Sequence, residues 1–105
     1  FTFSSGEALP DGMTIDADGH LWVALYNGYK IVRINTESRE IVFEVNLPVP
    51  QVTSCTFGGK ELNELYITTA REHMTSAEIE EAPLSGCIFK ANVPFAGLPP
   101  VRFKN

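Results

Sequence analysis

Apolar and polar positions alternate most clearly from Ile31 to Ile34 and from Ile41 to Leu47, a period of two that predicts β-strands. In the second run Ile41, Phe43, Val45 and Leu47 are expected to share one face. Asn27-Gly28 separates the apolar runs Leu21 to Tyr26 and Tyr29 to Ile34, and predicts a tight hairpin, because both central residues of a type I′ turn take positive φ. Asp18-Gly19 does similar work just upstream. The stretch from Gly12 to Leu47 therefore reads as a four-stranded antiparallel meander. Three further strands follow, Val52 to Phe57, Leu65 to Thr69 and Cys87 to Asn92, joined by Gly58-Gly59 and a long insertion. Within the insertion, Thr75-Ser76-Ala77-Glu78 fits a capping box that opens a short helix ending before Pro83. The tail from Val93 to Asn105 carries Pro94, Pro99 and Pro100, so at most Val101 to Lys104 is an edge strand. Phe1 to Phe3 reads as the last strand of a preceding unit.

The two strand groups are copies of one another. Asp11 to Asp16 aligns with Thr53 to Gly58 at an offset of 42, and Leu21 to Ala24 with Leu65 to Thr68 at an offset of 44. Ile31-Val32-Arg33 then aligns with Ile88-Phe89-Lys90 at an offset of 57, the extra residues being the insertion from Arg71 to Leu84. Repeats of about 40 to 50 residues built from short strands mark β-propeller blades, whose sheets cannot bury both faces alone. The expected fold is all-β, about two four-stranded blades of such a propeller. Residues 1–10 are the end of a preceding blade and a loop, 11–47 a complete blade, and 48–105 a last, incomplete blade. Two blades do not close a ring. The expectation is a piece of a longer chain, for which the lack of an initiating methionine also speaks, or a protomer that completes a ring with other copies.

A formal charge of −5 argues against nucleic acid, since phosphate binding needs a concentration of Lys and Arg that eight scattered basic residues do not supply. No run approaches the ~18 apolar residues of a membrane span, and Phe1 does not open a secretion signal. Cys55 and Cys87 show no metal spacing and no disulfide framework, which leads to the expectation of free thiols in a reducing, cytoplasmic setting.

Leu9-Pro10-Asp11-Gly12 is the segment with the most chemistry. On local grounds Pro-Asp-Gly is a turn. Its position gives a second reading, because Asp11 begins the first strand of its blade, and first strands line the channel of a propeller. A carboxylate at that mouth is placed to hold a hard cation through oxygen. Thr53 is the equivalent residue of the second copy and Ser54 lies beside it; both are candidate substrate-pocket residues, against the plainer reading of structural hydroxyls. Met13 and Cys55 are expected to fill the space between blades. Glu72, Glu78, Glu80 and Glu81 make the insertion acidic without the spacing of a calcium loop, as a solvated face does. Trp22 is expected in the core, His20 at the surface.

The blocks Pro10 to Asp16, Gly19 to Ala24, Tyr26-Asn27-Gly28, Thr53 to Gly59 and Leu65 to Thr68 resemble the carboxy-terminal third of the regucalcin, senescence marker protein and gluconolactonase family, and the ending Phe95-Ala96-Gly97 to Lys104 is similar to arthropod members, the luciferin-regenerating enzymes. The resemblance implies a six-bladed propeller with one divalent metal at its mouth and hydrolysis of sugar lactones or related esters. The ion implied is Ca²⁺, with Zn²⁺ or Mn²⁺ as alternatives. Family metal ligands are a glutamate, an asparagine and an aspartate; the Pro-Asp-Gly aspartate maps onto Asp11, and the other two belong to blades outside this chain. Asp11 is therefore the expected metal ligand and catalytic residue, with the remaining blades and a small lactone as partners. One carboxylate cannot supply the six to eight oxygens that calcium takes, so the segment alone is expected to be inactive. The alternative is a non-catalytic calcium-binding or scaffold propeller.

Overall fold

The structure is a computed structural model that describes residues 8–98. Strands β1 (Leu9–Ile15), β2 (Leu21–Tyr26), β3 (Lys30–Ile34) and β4 (Ile41–Asn46) form one antiparallel sheet in chain order. Strands β5 (Val52–Gly58), β6 (Glu64–Thr69) and β7 (Ile88–Asn92) form a second, also in chain order. Helix α1 (Ser76–Glu81) interrupts the β6–β7 connection, opened by the expected capping box: Glu78 N donates to Thr75 Oγ1, and Thr75 N donates to a Glu78 carboxylate oxygen.

The two meanders pack through a shared apolar layer, β5 lying against β1 and β2. Trp22, Ala24 and Ile31 enter it from the first sheet and Val52, Cys55, Leu65 and Ile67 from the second. Trp22 is fully buried at the centre, with Phe43, Phe57 and Phe95 around it at centroid distances of 5.8, 5.4 and 5.7 Å in tilted or edge-on geometry. Aromatic quadrupoles favour such arrangements over face-to-face stacking. On the opposite face of the first sheet, Val23, Leu25, Val32 and Ile34 form a second cluster. Met13 and Ile15 pair with Val23 and Leu21 on that face, and both are exposed. Met13 thus does not fill the space between the two sheets, whereas Cys55 does.

Several local expectations are corrected. Pro10-Asp11-Gly12 is strand, not turn: the residues continue β1 through a bulge. At the β2–β3 turn the positive φ values belong to Asn27 (66°) and Tyr29 (59°), not to Gly28. Gly28 is needed for space, since a Cβ there would lie 2.5 Å from the Cβ of Leu25. Ile41 pairs with Ile34 and Phe43 with Arg33, so a bulge at Val42 moves Ile41 off the face shared by Phe43 and Val45. The tail contributes more than its prolines suggest. Val93 is buried, Ala17 N donates to Ala96 O at 2.8 Å, and Gly97 bridges to Asp16, which straps residues 93–97 across the first sheet. The expected strands at Phe1 to Phe3 and Val101 to Lys104 lie outside the described residues.

Both cysteines are free, Cys55 buried and Cys87 exposed. Burial pushes the Cys55 thiol up to about 12, which suppresses the reactive thiolate at neutral pH. Mass mapping after a brief pulse of iodoacetamide is expected to find Cys87 alkylated and Cys55 untouched until denaturant is added. Equal labelling of both in the native state would contradict the packing of β5 on β2.

Candidate metal and substrate site at the first strands

The bulge in β1 sets the geometry of the site. Pro10 pairs with Leu25 and Met13 with Val23, so Asp11 and Gly12 together face the single residue Ala24. Pro10 has no N–H to give a sheet ladder and is tolerated at an edge strand or a bulge, both of which apply here. The β5 strand repeats the device at the equivalent place: Val52 pairs with Thr69 and Ser54 with Thr68, leaving Thr53 as the extra residue. Bulges re-aim side chains and recur beside active sites. Here the two bulges fall at the same end of β1 and β5, two strands that lie in contact.

Asp11 is exposed and makes no ion pair with any described residue. Its carboxylate is therefore available as an oxygen ligand. Gly12 lies directly against Ser54 and the backbone of Thr53. The head of β1, through Gly12 beside Asp11, is thus brought against Thr53 and Ser54, two of the residues singled out from sequence. Their side chains differ in freedom. Thr53 Oγ1 is 3.0 Å from Thr68 O and 2.8 Å from Thr68 Oγ1, a pairing that ties its hydroxyl into the β5–β6 ladder. Ser54 is half-buried at the Gly12 contact.

Gln51, which precedes β5, was not singled out from sequence. Its amide Nε2 donates to Glu72 O and its Oε1 accepts from Glu72 N, each at 2.7 Å, while Ala70 N donates to Gln51 O at 2.9 Å. One buried amide thus anchors the insertion beside the start of β5. A cleft of about 280 Å³ opens between the Asn27–Tyr29 turn and α1, lined also by Pro50, Met74 and Glu81. It includes none of Asp11, Thr53 or Ser54, so it is not the locus the two bulges build. Among the described residues no group of three or more His, Cys, Asp or Glu side chains converges as a metal site. A metal at Asp11 would therefore need further ligands; the exposed carboxylate suits one hard oxygen position in such a set.

A second carboxylate near these strands has a different character. Asp16 directly follows β1 and is buried; its Oδ2 accepts from Trp22 Nε1 at 2.9 Å and Arg33 Nε at 2.7 Å, and its Oδ1 accepts from the backbone N–H of Asp18 and His20 at 2.9 and 3.1 Å. Burial alone would raise its pKa, but the hydrogen bonds of Trp22, Arg33 and His20, with the Arg33 charge, outweigh it and hold the carboxyl below its ordinary value. The guanidinium of Arg33 sits 3.8 Å above the centre of the Phe95 ring, which joins the strap to this network. All of Asp16's acceptor capacity is committed, so it is structural.

The pattern that describes the SMP-30/Gluconolactonase/LRE-like region matches residues 1–71. The chain belongs to this family. Similar members include a putative sugar lactone lactonase, YvrE, of Bacillus subtilis, 44% identical over 103 residues that cover 98% of this chain and 35% of that protein. Regucalcin of Bos taurus is 44% identical over 98 residues, 92% of this chain and 33% of the relative. Among solved structures, a regucalcin of Agrobacterium tumefaciens described as a calcium-binding protein superposes with a TM-score of 0.83 at 29% identity, over 90% of this chain and 32% of its own. A luciferin-regenerating enzyme gives 0.81 at 37% identity, over 100% of this chain and 36% of its own. The SMP-30/gluconolactonase membership and these superpositions agree with a β-propeller architecture. The chain spans about a third of the length of the relatives it matches.

Proposed function

We propose that this chain forms two blades of a divalent-metal-dependent hydrolase that opens sugar lactones or related esters. The observation that carries the reading is Asp11, an exposed carboxylate presented by a bulge at the head of β1, whose neighbour Gly12 packs against the matching bulge at the head of β5. A divalent ion held there would supply Lewis-acid polarisation of an ester carbonyl and acidification of a water. Asp11 would hold the ion through one oxygen, leaving its second oxygen to take a proton from an attacking water. Ser54 offers a hydroxyl to a polar substrate beside it. Thr53, already tied to Thr68, shapes the wall. The proposed ion is Ca²⁺, supported by the calcium-binding description of the Agrobacterium relative.

The remaining ligands and blades are proposed to come from further chain of the same propeller. The exposed Met13, Ile15 and Ile41 on the outer face of the first sheet support this, since a neighbouring blade would cover them. No helix among the described residues is long and apolar enough to cross a membrane, and the free thiols suit the proposed cytoplasmic location. The same calcium-binding description favours a second reading, a propeller that holds the ion without turnover. A panel of aldonolactones separates the two. Hydrolysis by the intact protein that falls to background with chelator and returns with calcium supports the hydrolase. Calcium binding with no hydrolysis of any member leaves only the non-catalytic reading.

A further inference from the structure

We infer that Gly12 is a positioning residue for Asp11, through the absence of a side chain where β1 meets β5. The inference rests on the reading of Asp11 as a metal ligand. A Cβ at position 12 would fall against Ser54 Oγ, 2.7 Å from Ser54 Cβ and 2.8 Å from Thr53 O. Rotation of the serine relieves only the first contact. Ser54 Cβ and the Thr53 carbonyl belong to the β5 backbone frame, which is held by its ladder to β6. The chain would respond by moving β1 outward, and Asp11, the preceding residue in the same bulge, would move with it.

The glycine is not there for its backbone freedom. Positive φ values belong to Gly19, Gly59 and Gly86, and Gly12 is not among them. Alanine can therefore adopt the local conformation, and only the room between the strands excludes it. That separates the Gly12 requirement from the usual one, in which any L-residue would be strained. A separation set by a missing methyl matters at this locus because ligands donated by different blades must meet one ion. Displacement of a catalytic or binding group by about 1 Å costs on the order of a hundredfold in rate. The two bulges place the backbone; the glycine fixes how closely they approach.

Calcium titration of the intact metal-free protein by calorimetry, with the thermal midpoint of the metal-free form measured in parallel, tests this. Gly12→Ala is expected to weaken calcium at least about tenfold, and Ser54→Gly in the Gly12→Ala background is expected to recover part of that loss by removing Oγ and Cβ. The non-additivity of the two changes is the signature, since Ser54's own effect cancels in the cycle. A Gly12→Ala protein that is merely less stable yet binds calcium as tightly as the parent overturns the inference. Should Gly12→Ala not fold, Ser54→Val presses on Gly12 from the other strand with Ser54→Ala as its control; both lack the hydroxyl, and Val must bind calcium more weakly than Ala, equal affinities overturning the idea. Asp11→Asn in the same titration keeps the two readings apart. Unchanged affinity there removes Asp11 as a ligand, whereas loss at Asp11 with none at Gly12 removes only the positioning role.

Discussion

Asp16→Ala is expected to lower the stability of the intact protein by about 3 to 5 kcal/mol, the range for breaking a buried ion pair by deleting one partner. The Arg33 guanidinium would stay buried, with the exposed Asp18, 3.1 Å from Nη2, as its one remaining carboxylate among the described residues. Trp22 Nε1 and the N–H groups of Asp18 and His20 would lose their acceptor as well. Total stabilities of about 5 to 15 kcal/mol make such a loss a large share of the whole. Asp16→Asn keeps acceptor oxygen for Trp22 and should fall between Ala and the parent. Urea unfolding followed by tryptophan fluorescence measures it directly, and a loss below about 1 kcal/mol, the range of exposed pairs, would show that the network is not the clamp described. The pH dependence has a definite sign. The folded-state carboxyl titrates below its unfolded value, so its contribution is complete above the normal carboxylate range near pH 4 and is lost as pH falls through the lower folded value. The Asn variant should lack that part of the acid sensitivity.

Asp11→Asn is expected to reduce lactone hydrolysis by the intact protein at least about a hundredfold, since substitutions one shell further out already cost 10 to 100-fold. The amide keeps the shape and one oxygen but loses the charge that holds a hard cation and the basicity that takes a proton. Asp11 is exposed and unpaired among the described residues, so folding should be unaffected. Unfolding curves that coincide with the parent, together with lost turnover, are the expected pair of results. Full turnover in Asp11→Asn would remove Asp11 from the chemistry.

The strands were legible because alternation and turn residues agree: Lys30–Ile34 and Glu64–Thr69 fall where the pattern puts them, and the Thr75 to Glu78 capping box starts α1. Bulges escape such a reading, because one extra residue at Asp11-Gly12, Val42 or Thr53 leaves composition unchanged and shifts only the register. The turn reading of Pro10-Asp11-Gly12 failed for that reason; local propensity yielded to pairing with β2. The strap from Val93 to Gly97 was obscured by its proline, though Phe95 beside a small residue pair signals packing. Asp11 as a site residue came from repeat position and resemblance. The Gly12–Ser54 contact came from neither, since it joins strands that sequence order does not place face to face.

The recurrence of the bulge at Thr53 has a bearing on how such proteins diversify. The same backbone seat is built in both copies of the repeat, once filled by a carboxylate and once by a hydroxyl tied to its own sheet. On the proposed reading, the scaffold thus prepares the position before any chemistry is assigned to it, and the choice between ligand and wall is a matter of one side chain. New specificities can then arise by exchanging residues at ready-made seats around the ring, with the fold left untouched.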